Sequence, residues 1–455
     1  MLETFLSIND AVNAVVWGPP FLVLLVGTGL YLTIRLDFFQ FKHFKLSWDK
    51  SFGRYFSKEV EEEGGVLSSF QAISSAMAAT LGVGNIAGVS TAISLGGSGA
   101  VFWMWISALV GMATKFGEAQ LGVKFREKHG EDDYTGGVMY YIEHGMGGKW
   151  KWLAVLYAFF AGIAAFGIGN MVQSNTLAHA AESGFAIPTW ITGVAVSFFV
   201  GLVILGGIKR IGKVAERLVP VMAIFYFIGG FVIILMNISA LPGVMGDIFA
   251  NAFSPAAAFG GFAGASVRMA VRFGIARGVF SNEAGLGAAS IVHAQAKNQP
   301  TRQGMWGIWE VFIDTIVVGS ITAFVVLLTG ALGTGETGAV LAAEGFSRGL
   351  PGPGGYIINI SIIIFAYTTM LTWSFYGEES WRYLFGKKIV KPYRFVFVIL
   401  LFVGAVGALE PIWLLADTLN GLMAAPNLVA LIVLAGVIVK EKDDYMATLD
   451  KDKAA

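Results

Sequence analysis

Thr80-Leu81-Gly82-Val83-Gly84-Asn85-Ile86-Ala87-Gly88 lies inside an apolar segment, residues 67–95, that is long enough to cross a bilayer. Glycine lets the backbone leave the helical ladder at this point. A break at membrane depth releases N–H and C=O groups that lipid cannot satisfy, so it persists only when buried in protein or lining a polar cavity. Roughly two hundred residues later, segment 265–296 is again studded with glycine and carries charge. Two interrupted segments in two halves of an apolar chain point to the binding site of a secondary transporter.

Composition agrees with a membrane chain. Apolar residues are 55% of the 455 and charged residues 14%, and the mean hydropathy is +0.67; soluble globular chains carry about 25% charge. The 59 Gly and 36 Phe suit helices packed closely in lipid. Basic and acidic residues number 31 each, which argues against a nucleic-acid partner. Cysteine is absent, so disulfides and thiol chemistry are excluded. Glu3 and Asp10 precede the first apolar stretch without a basic region, and no cleaved signal peptide is expected.

Apolar runs of about 20 residues predict an all-α polytopic protein, one transporter domain over residues 1–455, with eleven membrane helices. They fall near 14–34, 67–95, 99–123, 150–180, 188–208, 213–239, 265–296, 304–333, 355–384, 393–409 and 411–439. Pro-Gly runs such as 350–355 mark loops. Basic residues cluster in the 36–66 linker, around Lys124–Lys151, at Lys209–Arg217, at Lys297 and Arg302, at Arg382–Arg394 and at the C-terminus. Each cluster occupies an alternate loop. The opposite loops, near 96–98, 181–187, 240–264, 334–354 and 410, contribute only Arg348. The positive-inside rule then puts the N-terminus outside and the C-terminus in the cytoplasm, which requires an odd number of spans.

With that orientation, 67–95 runs outward and 265–296 runs inward. Each heads a block of five helices, 67–239 and 265–439, as an inverted repeat demands, and 14–34 is an addition in front. No residue-level repeat accompanies the topology. The alternative is a bundle whose glycines only allow close helix packing.

The stretch around Asn85 and the stretch Arg277-Gly-Val-Phe-Ser-Asn-Glu-Ala-Gly-Leu-Gly-Ala-Ala-Ser290 resemble the two signatures of the alanine or glycine:cation symporter family. More distantly, Gly82-Val83-Gly84-Asn85 is similar to the Gly-Leu-Gly-Asn of the first core helix of the bacterial leucine transporter. The resemblance covers nearly the whole chain. It implies a five-plus-five inverted repeat of leucine-transporter type, with the first helix of each repeat discontinuous. It also implies sodium-driven uptake of small amino acids across a prokaryotic plasma membrane. Alanine and glycine are the expected substrates and Na⁺ the coupling ion, with H⁺ open; no organic cofactor and no obligate protein partner are expected.

The first break has a chemistry of its own. Unpaired N–H groups at the start of the outer half-helix, from Val83, Gly84 and Asn85, form a carboxylate site helped by the helix dipole. Carbonyls ending the inner half-helix, from Ala78 and Ala79 to Thr80 and Leu81, are hard oxygen donors suited to Na⁺. The side chains of Thr80 and Asn85 complete an ion shell that shares the substrate carboxylate, which couples ion to substrate. A second reading of Asn85 is an interhelical hydrogen bond.

In helix 355–384, Thr368, Thr369 and Thr372 place hydroxyls on neighbouring faces. A threonine in lipid commonly bonds back to its own helix. The resemblance instead implies that Thr368 and Thr369 offer hydroxyls to sodium, with Thr372 as substitute. Trp373 reads equally as a pocket wall or as core. In 265–296, Arg268 and Arg272 stand four apart as an external gate. Arg277 and Gly278 lie at the expected break, and carbonyls over Gly274–Gly278 receive the substrate ammonium. Asn282 and Glu283 follow just below; the alternative is a structural salt bridge of Glu283 with Arg277. The resemblance implies that Glu118 hydrogen-bonds the unwound backbone of this segment. Phe166, Asn170 and Gln173 read as an apolar wall and two polar pocket groups, or as helix-to-helix glue. A small pocket rejects bulk but discriminates poorly by one methylene, so alanine and glycine are both expected.

Other classes fit less well. Gly207-Ile-Lys-Arg-Ile-Gly-Lys-Val214 imitates a phosphate-binding loop but has Val where Ser or Thr must meet Mg²⁺. The histidines at 43, 129, 144, 179 and 293 match no metal spacing, and the chain is not expected to be an enzyme. A passive channel is the nearer rival, because broken helices also build pores.

Overall fold

A computed structural model describes residues 2–53, 64–253, 267–407 and 410–454. Arg54, Lys58 and the connection 254–266 lie outside the described residues. The first apolar run divides into α1 (Leu2–Val16) and α2 (Pro19–Arg35), bent by 40°. The helix expected over 14–34 therefore starts later. Pro19 and Pro20 open a helix readily but cannot continue one, and a Cβ on Gly18 would collide with the Ala14 carbonyl.

Segment 67–95 is broken. The first half, α3 (Ser69–Thr80), starts with a reciprocal cap in which Ser68 and Gln71 exchange side-chain-to-backbone hydrogen bonds of 3.0 and 3.1 Å. A π turn over Gly84–Gly88 leads into α4 (Val89–Gly96), and the two halves bend by 47°. Next come α5 (Gly99–Lys124) and a hairpin of β1 (Glu127–Gly130) and β2 (Asp133–Thr135). One long span holds α6 (Lys151–Phe166), a π turn over Gly167–Met171 and α7 (Val172–Phe185). The next helices are α8 (Thr189–Ile204) and α9 (Gly207–Met236). The cluster Lys209–Arg217 thus sits on the opening turns of α9 rather than in a loop.

The connection expected over 240–264 contains a further helix, α10 (Leu241–Phe253). The second interrupted segment is α11 (Val267–Asn282), a gap, and α12 (Ala289–His293). The break lies at Glu283–Ala288, not at Gly274–Gly278. Glu283, Gly285 and Gly287 hold positive φ of 55°, 99° and 80°, and that is where the helix stops. Then follow α13 (Pro300–Val311), a π turn over Phe312–Gly319, and α14 (Ser320–Leu328). A helix expected as loop, α15 (Gly338–Gly349), precedes α16 (Pro353–Phe385) and α17 (Val390–Val406). The last run divides at Leu434 into α18 (Glu410–Val433) and α19 (Ala435–Ala454), so its expected end at 439 falls inside a separate polar helix.

Among the described residues, seven helices are long and apolar enough to cross a membrane, or nine if each bent pair forms one span. The chain is a multi-pass helical membrane protein. Of the expected spans, α8 is short at 16 residues, and α11 ends at its break after 16.

α5 is the axis of the packing: from Gly111 to Val123 every residue is buried. Small residues bring its neighbours close. Gly274 and Gly278 of α11 lie against Ala100, Met104 and Ser107, and Gly304 and Gly307 of α13 lie against Phe116 and Lys115. A Cβ at Gly274 would overlap the Ala100 carbonyl, whereas one at Gly27 of α2 meets nothing within 4 Å. Gly274→Ala is therefore predicted to destabilise by about 1–3 kcal/mol through overpacking, while Gly27→Ala is neutral or slightly stabilising. Thermal unfolding in one detergent compares the two; equal shifts would contradict this account of the α5–α11 contact.

Candidate ion and substrate site

At the first break, helix α16 meets the end of α3. The Thr369 hydroxyl donates to the carbonyls of Ala78 at 3.0 Å and Phe365 at 2.9 Å, with Ala79 O at 3.5 Å. One turn along, Thr372 donates to Ser75 O at 2.9 Å. Gly82 admits this approach, because a Cβ there would stand 2.7 Å from the Thr369 hydroxyl. Thr368 points elsewhere, to Met222 Sδ and to its own helix carbonyls. Thr80 bonds back to Ala76 O at 3.4 Å. The structure thus brings together Thr369, Thr372 and the α3 carbonyls of Ser75, Ala78 and Ala79. These are buried neutral oxygens, a donor set suited to a monovalent cation. No group of three or more metal-ligating His, Cys, Asp or Glu occurs among the described residues.

Asn85 staples the break. Its side-chain oxygen accepts from Gly82 N–H at 3.0 Å, and its amide donates to Asp314 Oδ1 at 2.7 Å and Asp314 O at 3.1 Å. Its carbonyl accepts from Thr322 at 2.7 Å. Asp314 also accepts from Ser281 at 3.0 Å and Thr315 at 2.7 Å. Both breaks therefore converge on one buried carboxylate that the motifs of the sequence do not single out.

Glu118 plays the stapling part at the second break. One of its oxygens accepts from Gly285 N–H at 2.8 Å, Gly287 N–H at 3.1 Å and the Asn427 amide at 2.7 Å. Asn282 turns its side chain onto Ala284 N–H at 2.9 Å and donates to Thr315 at 3.0 Å. Glu283 accepts from the Trp373 indole at 3.0 Å. Lys115 stands 3.2 Å from Glu310 and 3.9 Å from Glu118, while His293 lies 3.0 Å from Glu310, all fully buried.

Arg277 pairs with Asp417 at 3.4 Å, not with Glu283, and its guanidinium lies 5.4 Å from the Phe280 ring. Since α11 is unbroken there, the Gly274–Gly278 carbonyls belong to a helix interior and are not free for an ammonium. A cavity of about 300 Å³ adjoins the first break, lined by Val83, Ala87, Thr91, Phe280, Trp413 and Asp417 among others. Asp417 is held from behind by Asn13 of α1 at 3.5 Å and by the indole of Trp17, just past α1, on its backbone carbonyl at 3.1 Å. Arg272 lies beside this ion pair, whereas Arg268 faces a groove on α2. Trp373 packs over Gly169, where a Cβ would overlap the indole. Asn170 donates to Phe397 O at 2.7 Å and Gln173 to Ile168 O at 3.1 Å. Phe166 stacks on Tyr393, Phe397 and Trp381. Asn170 thus bonds across to α17 and Phe166 packs against α16 and α17, whereas Gln173 bonds within its own span.

The other end of α3 is zipped to the chain after α12. Gln295 O accepts from Val66 and Leu67 N–H at 2.7 and 2.9 Å, and Lys297 N–H donates to Leu67 O at 2.8 Å. The hairpin braces this junction: Gln295 donates to Tyr134 O at 3.0 Å, and Asp133 joins Arg382 and Lys387 at 2.8 Å each. Partial burial opposes ionisation of Asp133, but those two cations outweigh it and hold the carboxyl below its ordinary range. The stability it lends is present above the ordinary aspartate range and lost as pH falls through the lowered value.

With this geometry in view, the profile of the Sodium:alanine symporter family matches residues 2–455. The chain belongs to the sodium:alanine symporter family. Relatives of this symporter include "Sodium/alanine symporter AgcS" of Methanococcus maripaludis, 47% identical over 444 residues and covering 96% of each chain. "Putative sodium/proton-dependent alanine carrier protein YrbD" of Bacillus subtilis is 37% identical over 96% of this chain and 91% of that one. Among solved structures, MhsT in complex with L-phenylalanine aligns with a TM-score of 0.57 at 13% identity, over 83% of this chain and 98% of that one. The Eremococcus coleocola manganese transporter aligns at 0.54 and 15% identity, over 84% and 81%. These likenesses give the symporter a fold of leucine-transporter type. The family and its relatives are transporters of amino acids with cations, not enzymes.

Asp314, Glu310, Lys115 and Asp417 are legible as ionisable residues within apolar spans, a mark of function by default, yet the sequence-based expectation reached only those of segment 265–296 and Glu118. Removing the Glu118 acceptor leaves two buried N–H groups unpaired, at about 1–3 kcal/mol each. Glu118→Ala is predicted to lower the unfolding temperature of the symporter clearly more than Glu118→Gln, which retains an acceptor oxygen. Matching unfolding temperatures for the two variants would refute the stapling role.

Proposed function

We propose that this protein is a sodium-coupled symporter of small neutral amino acids, alanine and glycine, working by alternating access in a prokaryotic plasma membrane. The observation that carries the reading is the meeting of the Thr369 and Thr372 hydroxyls with the α3 carbonyls. A cation entering there replaces hydroxyl-to-carbonyl hydrogen bonds with ion–oxygen contacts and ties α16 to the broken helix. Na⁺ is cargo in this scheme, and its downhill entry drives the amino acid.

The substrate carboxylate sits where the outer half-helix begins, on the N–H groups of Val83 and Gly84, beside Asn85. Glycine at 84 leaves the backbone approachable, and the helix dipole favours an anion. A second ion lies toward Asp314, near Asn85 and Ser281, where a buried carboxylate calls for a cation. The substrate ammonium is assigned to the second break, at the end of α11 past Val279 rather than at Gly274–Gly278, since the last helical pairing there runs from Glu283 N–H to Val279 O. Phe280 and Trp413, which line the cavity beside the first break, set the volume of the pocket.

In this reading there are eleven spans, with α3–α4 and α11–α12 as the discontinuous first helices of two inverted repeats, 67–239 and 265–439. The N-terminus is outside and the C-terminus cytoplasmic. The Arg277–Asp417 pair then closes the outer side, and the 66–67 to 295–297 zipper with its hairpin closes the inner side. Proton coupling is the second reading, favoured by one observation: Glu118, Glu283, Glu310 and Asp314 are all buried, and Lys115 stands 3.2 Å from Glu310 and 3.9 Å from Glu118.

The test is alanine uptake into proteoliposomes with and without an inward Na⁺ gradient. Stimulation by Na⁺ alone supports the proposal; equal uptake without it, or stimulation by a proton gradient alone, sinks the sodium version. Thr369→Ala is predicted to raise the sodium concentration for half-maximal uptake at least tenfold, about 1.4 kcal/mol. Thr369→Ser restores most of it, and Thr368→Ala leaves it within about twofold. The same loss at Thr368 would move the ion site.

A further inference from the structure

Outside the transport pathway, the ends of α2 and α11 enclose a groove of about 580 Å³. Its floor is apolar, formed by Leu22, Val26, Val271 and Ile275, and its rim carries Arg268 and Arg272. Along α2 it runs from Pro19 to Gly27, roughly 12 Å at helical rise. Gly27 faces open space, with nothing within 4 Å of a Cβ built there. Val23, on the same stretch, is 71% exposed, so this side of the groove opens outward to the membrane.

The two arginines are the unusual feature. They stand one helical turn apart, and neither makes an ion pair with a carboxylate among the described residues. Arg277, on the same helix, has Asp417. The Arg272 guanidinium lies over the face of Phe273, 5.6 Å from the ring centroid. An arginine in or near hydrocarbon without a partner costs several kcal/mol unless it snorkels to an acceptor. A guanidinium fork fits a phosphate bidentately, and two forks one turn apart on an apolar trough fit a phosphodiester above an acyl chain.

We propose that this groove is a binding site for an anionic phospholipid, its headgroup phosphate held by Arg268 and Arg272 and an acyl chain laid against Leu22, Val26 and Ile275. The occupant is a lipid rather than a soluble phosphate, because the greater part of the lining is hydrocarbon. Arg272 also borders the small space beside Arg277, Asp417, Asn13 and Trp17. The bound lipid therefore reaches the neighbourhood of the Arg277–Asp417 pair from the membrane side.

The experiment is lipid retention by the full chain. Protein reconstituted with equal phosphatidylglycerol and phosphatidylcholine is re-extracted in mild detergent, and retained lipid is counted by native mass spectrometry. Wild type is expected to hold phosphatidylglycerol at least fivefold over phosphatidylcholine. The double variant Arg268→Gln with Arg272→Gln loses that preference. Gly27→Leu, which fills open space without touching a charge, lowers retention of both lipids at the site and keeps the unfolding temperature of wild type. Equal retention of the two lipids by wild type would overturn the proposal, as would an undiminished preference in the double variant or undiminished retention in Gly27→Leu. A stable dimer whose partner helix fills the groove, seen as doubled mass with no retained lipid, would overturn it as well.

Discussion

Backbone groups released by a helix break have no water to turn to at membrane depth, and everything near the centre of this protein follows from how they are satisfied. Two side chains carry most of that burden. Asn85 bonds the Gly82 N–H of the first break. Glu118 bonds the Gly285 and Gly287 N–H groups of the second. Neither acts alone: Asn85 is oriented by Asp314, and Glu118 shares its oxygen with Asn427. The breaks are thus fixed features of a packed interior, held by polar networks that a lipid-exposed loop could not have.

Such networks demand close helices, and α5 supplies the wall they lean on. Its second half is buried because Gly304 and Gly307 of α13, and its own Gly122 set against Ser290 of α12, let neighbours approach the backbone. The same helix brings Lys115 and Glu118 to the second break, so packing and charge placement are one device. A buried ion pair is weak evidence for stability in itself. Here its geometric effect is specific: it positions the Glu118 carboxylate beneath glycines whose positive φ makes their N–H groups converge.

Much of this is legible in the sequence. The break at Thr80–Gly88 announces itself, because three glycines and an asparagine within nine residues weaken the helix where lipid offers the freed backbone nothing. The second break is equally visible, but its expected position falls too early. Arg277-Gly278 resembles the interruption, yet an isolated Gly278 packs against Ser107 within an intact helix, and the turn needs the doubled Gly285 and Gly287. Hydropathy cannot tell a glycine that admits a neighbour from one that bends the chain. For the same reason α10 and α15 read as loop: they are short, and their sides are only partly apolar. Threonine orientation also lies beyond the sequence, since Thr368 and Thr369 differ by one step of about 100° around α16 and only packing decides which hydroxyl meets α3. Asp314 escapes for a simpler reason: one carboxylate hardly dents the hydropathy of a long span.

The placement of α3 suggests how an ion and a gate are joined in the sodium-coupled reading. The helix is held at both ends: its first residues are zipped to Gln295 and Lys297, and its last carbonyls receive Thr369 and Thr372. To open the inner side, the start of α3 must leave the zipper, and a rigid 12-residue helix cannot swing without disturbing its far end. An ion bound between those last carbonyls and α16 adds contacts that the swing must break. A ligand shifts an equilibrium only by its differential affinity for the two states, and this arrangement supplies such a difference. Ion-bound protein favours the closed inner side, and release of the ion removes the contacts that kept α3 against α16. The amino acid feels the same change through Asn85, because the residue that staples the break also borders the proposed carboxylate site. In that reading coupling needs no long pathway, since one half-helix has the proposed ion site at its end, the proposed substrate site just beyond it and the proposed gate at its start.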